Sequence, residues 1–434
     1  MHWGRTSGPS VTSGDTMILK KFINFAKQYA MGTLALRGGI VGINFAIMIG
    51  LAGFLGLDAF GTLAVTWGLA LMVATVLSLG GPLMLLRHLT DGSGLSSSLV
   101  FWQVMLLPVL FAVVAYPLLL TSFPGLPWLA ILTTGLGINL INCIASIMRG
   151  LGSLQMSMAL RDAGPQVALG LGVLIGAHGA DMILFQSLFW LGLMTVAAGA
   201  WCIRQRAFDT LIQPNGRPAD IDWSLWSTAI LGTGLAQVDI IAAGHLLTPE
   251  QVGLYALLRR VANLVALPIS VATWVSAGPV SAAFAAGKPT QLQRASAKGS
   301  QIAFLPAFVL FCAGCVALPL LPLLTDGVDA HWLCLILLGG ALAQAAFGAS
   351  YTVATLCAQA HLAALSRLIS IGLYLVSVWI LGAAAIDPVG NAVVYVGSIS
   401  AGSIFLWWKI RSTMGLDTSA MVLIRRSEGA WKLS

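Results

Sequence analysis

Apolar residues fill twelve runs of about 20 positions, at 35–57, 61–86, 97–120, 126–149, 162–179, 181–203, 224–247, 252–279, 300–322, 331–357, 362–384 and 388–409. Each run is long enough to cross hydrocarbon as a helix. No other unclosed structure satisfies its own backbone where water is absent. The pattern predicts an all-α polytopic membrane protein with 12 transmembrane helices. The fifth run is the least regular, because Asp162, Pro165 and several glycines interrupt it.

The longest interior polar break, RQRAFDTLIQPNGRPADID at 204–222, holds two prolines and an Asn-Gly turn, and it divides the runs into two sets of six. A short repeat supports that division. LGLDAFGTLAV (Leu55 to Val65) recurs as LTPEQVGLYAL (Leu247 to Leu257), with Leu55/Leu247, Gly61/Gly253 and Ala64/Ala256 identical and an acid at Asp58/Glu250. Each copy joins the first and second helix of its half, so the halves share one orientation and relate by a pseudo-two-fold axis along the membrane normal. The expected organisation is a disordered tail at 1–19, an N-lobe at 20–203, a cytoplasmic linker at 204–222, a C-lobe at 223–411 and a cytoplasmic tail at 412–434.

Composition fixes the solvent. Hydrophobic residues make up 58%, charged residues 9% and the mean hydropathy is +0.90, against about 25% charged in soluble domains. With the N-terminus cytoplasmic, every lysine and nearly every arginine falls in an inner loop or helix end, and the outer loops hold acids such as Asp58, Asp181, Glu250 and Asp387. Losing the fifth crossing would invert the second half and expel most of its cations. The net charge of +7 therefore orients the chain among membrane lipids and implies no nucleic-acid partner. The six cysteines lie in apolar helices and read as small buried hydrophobes. The Cys312/Cys315 pair has no companion ligands, so no metal is expected. Nothing resembles a Walker loop, and no cofactor or catalytic residue is indicated.

Three blocks in order, LGLDAFGTLAVTWGLALMVATVLSLGGPLMLLRHL, MRGLGS and DIIAAGHLLTPEQVGLYALLRRVANLVALPISV, resemble the multidrug/oligosaccharidyl-lipid/polysaccharide (MOP) exporter superfamily. Within it the chain looks most like the bacterial polysaccharide branch. The resemblance implies two six-helix lobes around a V-shaped cavity that opens alternately to either side of the bacterial inner membrane, with both termini cytoplasmic. It implies a flippase for an oligosaccharide repeat unit on undecaprenyl pyrophosphate, working beside polysaccharide polymerase machinery. The alternative is a drug or cation antiporter of the same superfamily. A membrane glycosyltransferase fits poorly, because the outer loops are short.

Such a cargo needs a wet, cationic path, and intramembrane charges are its natural markers. Asp239 in the seventh run and Arg259 and Arg260 in the eighth sit about 10 to 12 Å below the outer surface. The arginines could grip phosphate, with Asp239 as a coupling-ion site or counter-ion. Equally, Asp239 and one arginine could form a structural pair. Arg37 either lines the inner mouth or snorkels to headgroups. Asn44 and Asn263 either meet sugar hydroxyls or bond between helices.

Overall fold

The computed structural model describes residues 13–91, 101–175, 179–207, 211–212, 223–323, 330–382 and 386–420, with backbone alone for 13–35. The first helix, α1, runs Ser13–Leu77 and is broken at Gly56, whose φ of 77° and ψ of 162° suit a residue without Cβ. Met48 and Trp67 line one small cavity, whereas a straight helix would hold them about 28 Å apart. The chain thus doubles back at Gly56, and α1 supplies the first two crossings. Past a turn at Leu79 and Gly80, α2 (Gly81–Asp91) continues the second.

A π-helical turn, Phe101–Leu106, leads into α3 (Leu107–Ser122), followed by α4 (Trp128–Gly150). The irregular fifth run becomes α5 (Leu154–Met158), a π turn at Ala159–Ala163 and α6 (Gly164–Leu174). Residues 154–174 rise about 31 Å, the thickness of a hydrocarbon core. The N-terminal lobe closes with α7 (Ala180–Arg204).

The C-terminal lobe comprises α8 (Trp223–Leu246), α9 (Pro249–Ala285), α10 (Pro289–Ala317), the pair α11 (His331–Ala346) and α12 (Ala349–Leu356), α13 (Ala360–Leu381) and α14 (Pro388–Met414). The pair α11 and α12 is bent by 42°. Among the described residues nine helices are long and apolar enough to span, the bent pair is a tenth, and the first of the nine is the doubled α1. Among the described residues each of the twelve apolar runs is largely helical. Large apolar side chains such as Val114, Val316 and Trp379 are exposed on the outside of the bundle, as lipid rather than water requires.

The repeat sits where the lobes meet. A Cβ on Gly61 would overlap the Pro249 carbonyl, and a Cβ on Gly253 would overlap the Leu57 carbonyl. Positions 57 and 249 are equivalent in the repeat, as are 61 and 253, so the contact is reciprocal about the pseudo-two-fold axis. The exchange continues inward: Val65 belongs to the core of the C-lobe, while Ala256 and Leu257 belong to that of the N-lobe. This seam lies at the end of the bundle that carries Asp58 and Glu250. Toward the opposite, basic end, Thr75 donates to Thr233 at 3.1 Å and Trp226 Nε1 to the Val76 carbonyl at 3.2 Å.

Three expected boundaries shift. α1 begins at Ser13, inside the stretch expected as a disordered tail, and residues 1–12 lie outside the described residues. The expected linker begins packed, with Ala207 and Leu211 buried against Leu85, Ile147 and Cys202; of the rest, 208–210 and 213–222 lie outside the described residues. The expected tail after 411 docks as far as Ala420, and 421–434 lie outside the described residues. Apolar residues in these stretches, Leu211 and Leu416 among them, gain from burial on the adjacent lobe.

Candidate functional site

Asp239, on α8, is fully buried, and its Oδ2 accepts from Tyr255 Oη at 2.8 Å and Arg259 Nε at 3.0 Å, both on α9. A capping box fixes the start of α9, with the Thr248 hydroxyl and Gln251 side chain each meeting the other's backbone N–H. From that start Tyr255, Arg259 and Asn263 follow at intervals of four and share one helix face. Arg259 donates Nη1 to Asn263 Oδ1 at 2.5 Å and Nη2 to the Tyr395 hydroxyl, over whose ring the guanidinium lies at 4.5 Å. Tyr395 Oη donates to the Leu235 carbonyl at 3.2 Å. Behind this group Asn391 donates to the Asp239 carbonyl at 3.5 Å and accepts from Tyr374 Oη at 2.6 Å. Four helices, α8, α9, α13 and α14, thus converge on one buried ion pair.

That pair forms one wall of a cavity of about 310 Å3 inside the C-lobe. Its polar lining includes Arg259, Asn263, Gln344, Tyr351, Arg367 and Tyr395. The volume lies at the lower end of the range for small-molecule pockets, about 300–1,000 Å3.

Of the expected site residues, the structure brings together Asp239, Arg259 and Asn263. Arg260, one position further along α9, turns about 100° away and lines a different small cavity with Met48, Phe60 and Trp67. It makes no hydrogen bond or ion pair among the described residues. Arg37 lies in a separate group toward the basic end. Its guanidinium and that of Arg149 each stack on Trp274 of α9, both 5.2 Å from the ring centroid. Asn44 donates to the Asp162 carbonyl at 2.9 Å, tying α1 to the irregular fifth crossing; Asp162 in turn pairs with Arg161 at 2.7 Å.

Sequence reasoning passed over Tyr255, Tyr351, Tyr374, Tyr395 and Arg367. A signal existed. The chain has six tyrosines, and these four fall in C-lobe apolar runs where a hydroxyl needs a partner. By sequence Arg367 reads as one of the cations that mark the inner helix ends. It lies seven residues into α13 and reaches the cavity.

No protein-family model and no curated protein sequence matches the chain. Solved structures do. It is similar to an inward-facing multidrug resistance MATE family transporter of the MOP superfamily at 15% identity, covering 89% of this chain and 99% of that one with a TM-score of 0.58. The outward-facing form of such a transporter matches at 14% identity, 89% and 96% coverage and a TM-score of 0.56. A MOP superfamily transporter from Pyrococcus furiosus, described as having a binding pocket of reverse polarity that suggests a different function, matches at 13% identity, 88% and 94% coverage and a TM-score of 0.63.

These likenesses correct the expected polysaccharide branch, its undecaprenyl-linked oligosaccharide cargo and its polymerase partner, because near-full-length matches are to multidrug transporters. The physical reason lies in what carried the resemblance. LGLDAFG and LTPEQVG form the seam between lobes, a scaffold contact that carries no information about cargo, and the described C-lobe cavity has the volume of a small solute. The chain has the all-α, two-lobe, V-shaped fold of the MOP superfamily transporters.

Proposed function

We propose that the protein is an alternating-access antiporter of the MATE type, placed in the bacterial inner membrane with both termini cytoplasmic, and that it carries small organic solutes. The observation that carries this reading is the C-lobe cavity, which sets a buried ion pair and several hydrogen-bonding side chains inside membrane-spanning helices. Intramembrane charge is costly and is retained where a path needs it. Asp239 acts as the counter-ion that holds Arg259 in the cavity wall. Asn263 and Arg259 offer donors to the polar part of a solute. The likeness to transporters solved facing inward and outward supports movement of one lobe against the other.

Counterflow tests the reading without assuming a driving ion. Liposomes holding the purified protein are preloaded with an unlabelled aromatic solute and diluted into its labelled form, across a panel of cationic, neutral and anionic solutes. An alternating-access carrier accumulates label transiently for at least one solute, and D239N slows the exchange by about tenfold or more. Uptake indistinguishable from protein-free liposomes across the panel would overturn the proposal.

A further inference from the structure

The charge in the C-lobe cavity is unbalanced. Arg259 is neutralised by Asp239 and engaged by Asn263 and Tyr395. Arg367 is not neutralised: among the described residues no carboxylate comes within ion-pair distance of it. Its Nη1 donates to the Thr228 carbonyl at 2.8 Å, and its guanidinium lies 5.3 Å from the centroid of the Tyr351 ring. The rest of its donor fork is available to the cavity it lines. Among the described residues no aspartate or glutamate lines that cavity.

The setting is built around the guanidinium. Gly232 faces it from α8, where a Cβ would stand 3.1 Å from Nη1, so the missing side chain admits the arginine. Tyr351 is held in turn by a 3.0 Å hydrogen bond with Ser366. Along α14, Ser366 meets the Gly402 carbonyl and Arg259 meets Tyr395. On α8, Arg367 reaches the Thr228 carbonyl and Arg259 reaches Asp239 eleven residues on, so the two arginines act at levels roughly 16 Å apart. One end of the cavity is electrically closed by Asp239, and the other presents a cation with no carboxylate partner among the described residues, beside a flat aromatic face.

We infer that the C-lobe cavity is an anion subsite, in which Arg367 grips the carboxylate, sulfonate or phosphate head of a small organic anion whose apolar body lies between Tyr351 and Tyr395. A guanidinium in a low-dielectric lobe favours an oxyanion that completes its fork and repels an organic cation. The inference deepens the antiporter reading, on which it rests for transport alone; binding tests it separately.

The full-length protein in phosphatidylcholine nanodiscs is titrated at equilibrium with labelled naphthalene-2-sulfonate and with the like-shaped cation 2-naphthyltrimethylammonium. The sulfonate is expected to bind at least about tenfold tighter. R367Q weakens it about ten- to hundredfold, the loss of a charged hydrogen bond, and R367K keeps most of the affinity. Equal or tighter binding of the ammonium, or an R367Q isotherm like the wild type's, overturns the assignment. Should R367Q fail to fold, Q344E decides, since a carboxylate added to the wall must cost about tenfold or more and an unchanged affinity refutes the site. Nanodiscs that also contain phosphatidylglycerol separate the sources of anion. Unchanged sulfonate affinity assigns the site to a soluble solute, and displacement by the lipid overturns that assignment. Counterflow that fails while sulfonate binding persists would sink the transport reading and leave the anion subsite standing.

Discussion

Asp239 shows how a costly group is kept. A buried carboxylate is tolerated because Arg259 and Tyr255 both meet Oδ2, and removing one member of such a pair costs about 3–5 kcal/mol, since the other charge is left buried alone. D239N and R259M are therefore each expected to lower the unfolding temperature of the purified protein. The double variant D239N/R259M should recover part of the loss, because no lone charge remains. A double variant that loses the sum of the two single effects would show that the residues do not act as a pair. Arg260 stands in contrast: it neighbours Arg259 in sequence and shares neither its partner nor its cavity.

At the scale of elements, the segment after α14 acts as a strap. Asp417 and Thr418 are buried against α10, α12 and α14 through Gln293, Ser300, Ser350 and Trp407. Ala420 N–H donates to the Ala346 carbonyl at 2.8 Å, satisfying an acceptor at the bend between α11 and α12. Burial by itself would raise the Asp417 carboxyl. Hydrogen bonds from Trp407 and from the side chain and backbone of Ser419, with the nearby Arg411 charge, outweigh it and hold the group below the usual carboxylate range. The ionised form is thus favoured by the fold. Its contribution is complete above the unfolded value of about 3.9 and is lost as pH falls through the lower folded value. The melting-temperature difference between wild type and D417N should be constant near neutrality and shrink only below about pH 4. A difference already gone at pH 6 would contradict this.

At the scale of the molecule, the described lobe contacts include the Gly61/Gly253 seam at one end and, toward the other, the Thr75/Thr233 and Val76/Trp226 hydrogen bonds and Trp274 beside Arg37 and Arg149. Lobe rocking would loosen one end at a time. A side chain at either glycine collides with backbone, which cannot step aside, so G61V and G253V should each spread the acidic end. Spin labels at the exposed, repeat-equivalent positions 58 and 250 report the outcome. Both valines should lengthen that distance by several ångström, and to a similar degree, because the contact is reciprocal. An unchanged distance in both would refute the seam as a closed gate.

The twelve helices, the membrane setting and the halving of the chain were legible in the sequence, because hydrocarbon demands long apolar runs and a duplicated segment leaves its glycines in register. Charge spacing also brought Asp239 to the level of Arg259. Which arginine takes the carboxylate, why Arg367 faces a cavity and not a headgroup, and how three tyrosines from separate helices, Tyr255, Tyr374 and Tyr395, gather round one ion pair were decided by tertiary packing alone. Those contacts join residues far apart in the chain, as Arg259 meets Tyr395. The direction of a side chain about its helix axis depends on neighbours that one-dimensional spacing does not specify.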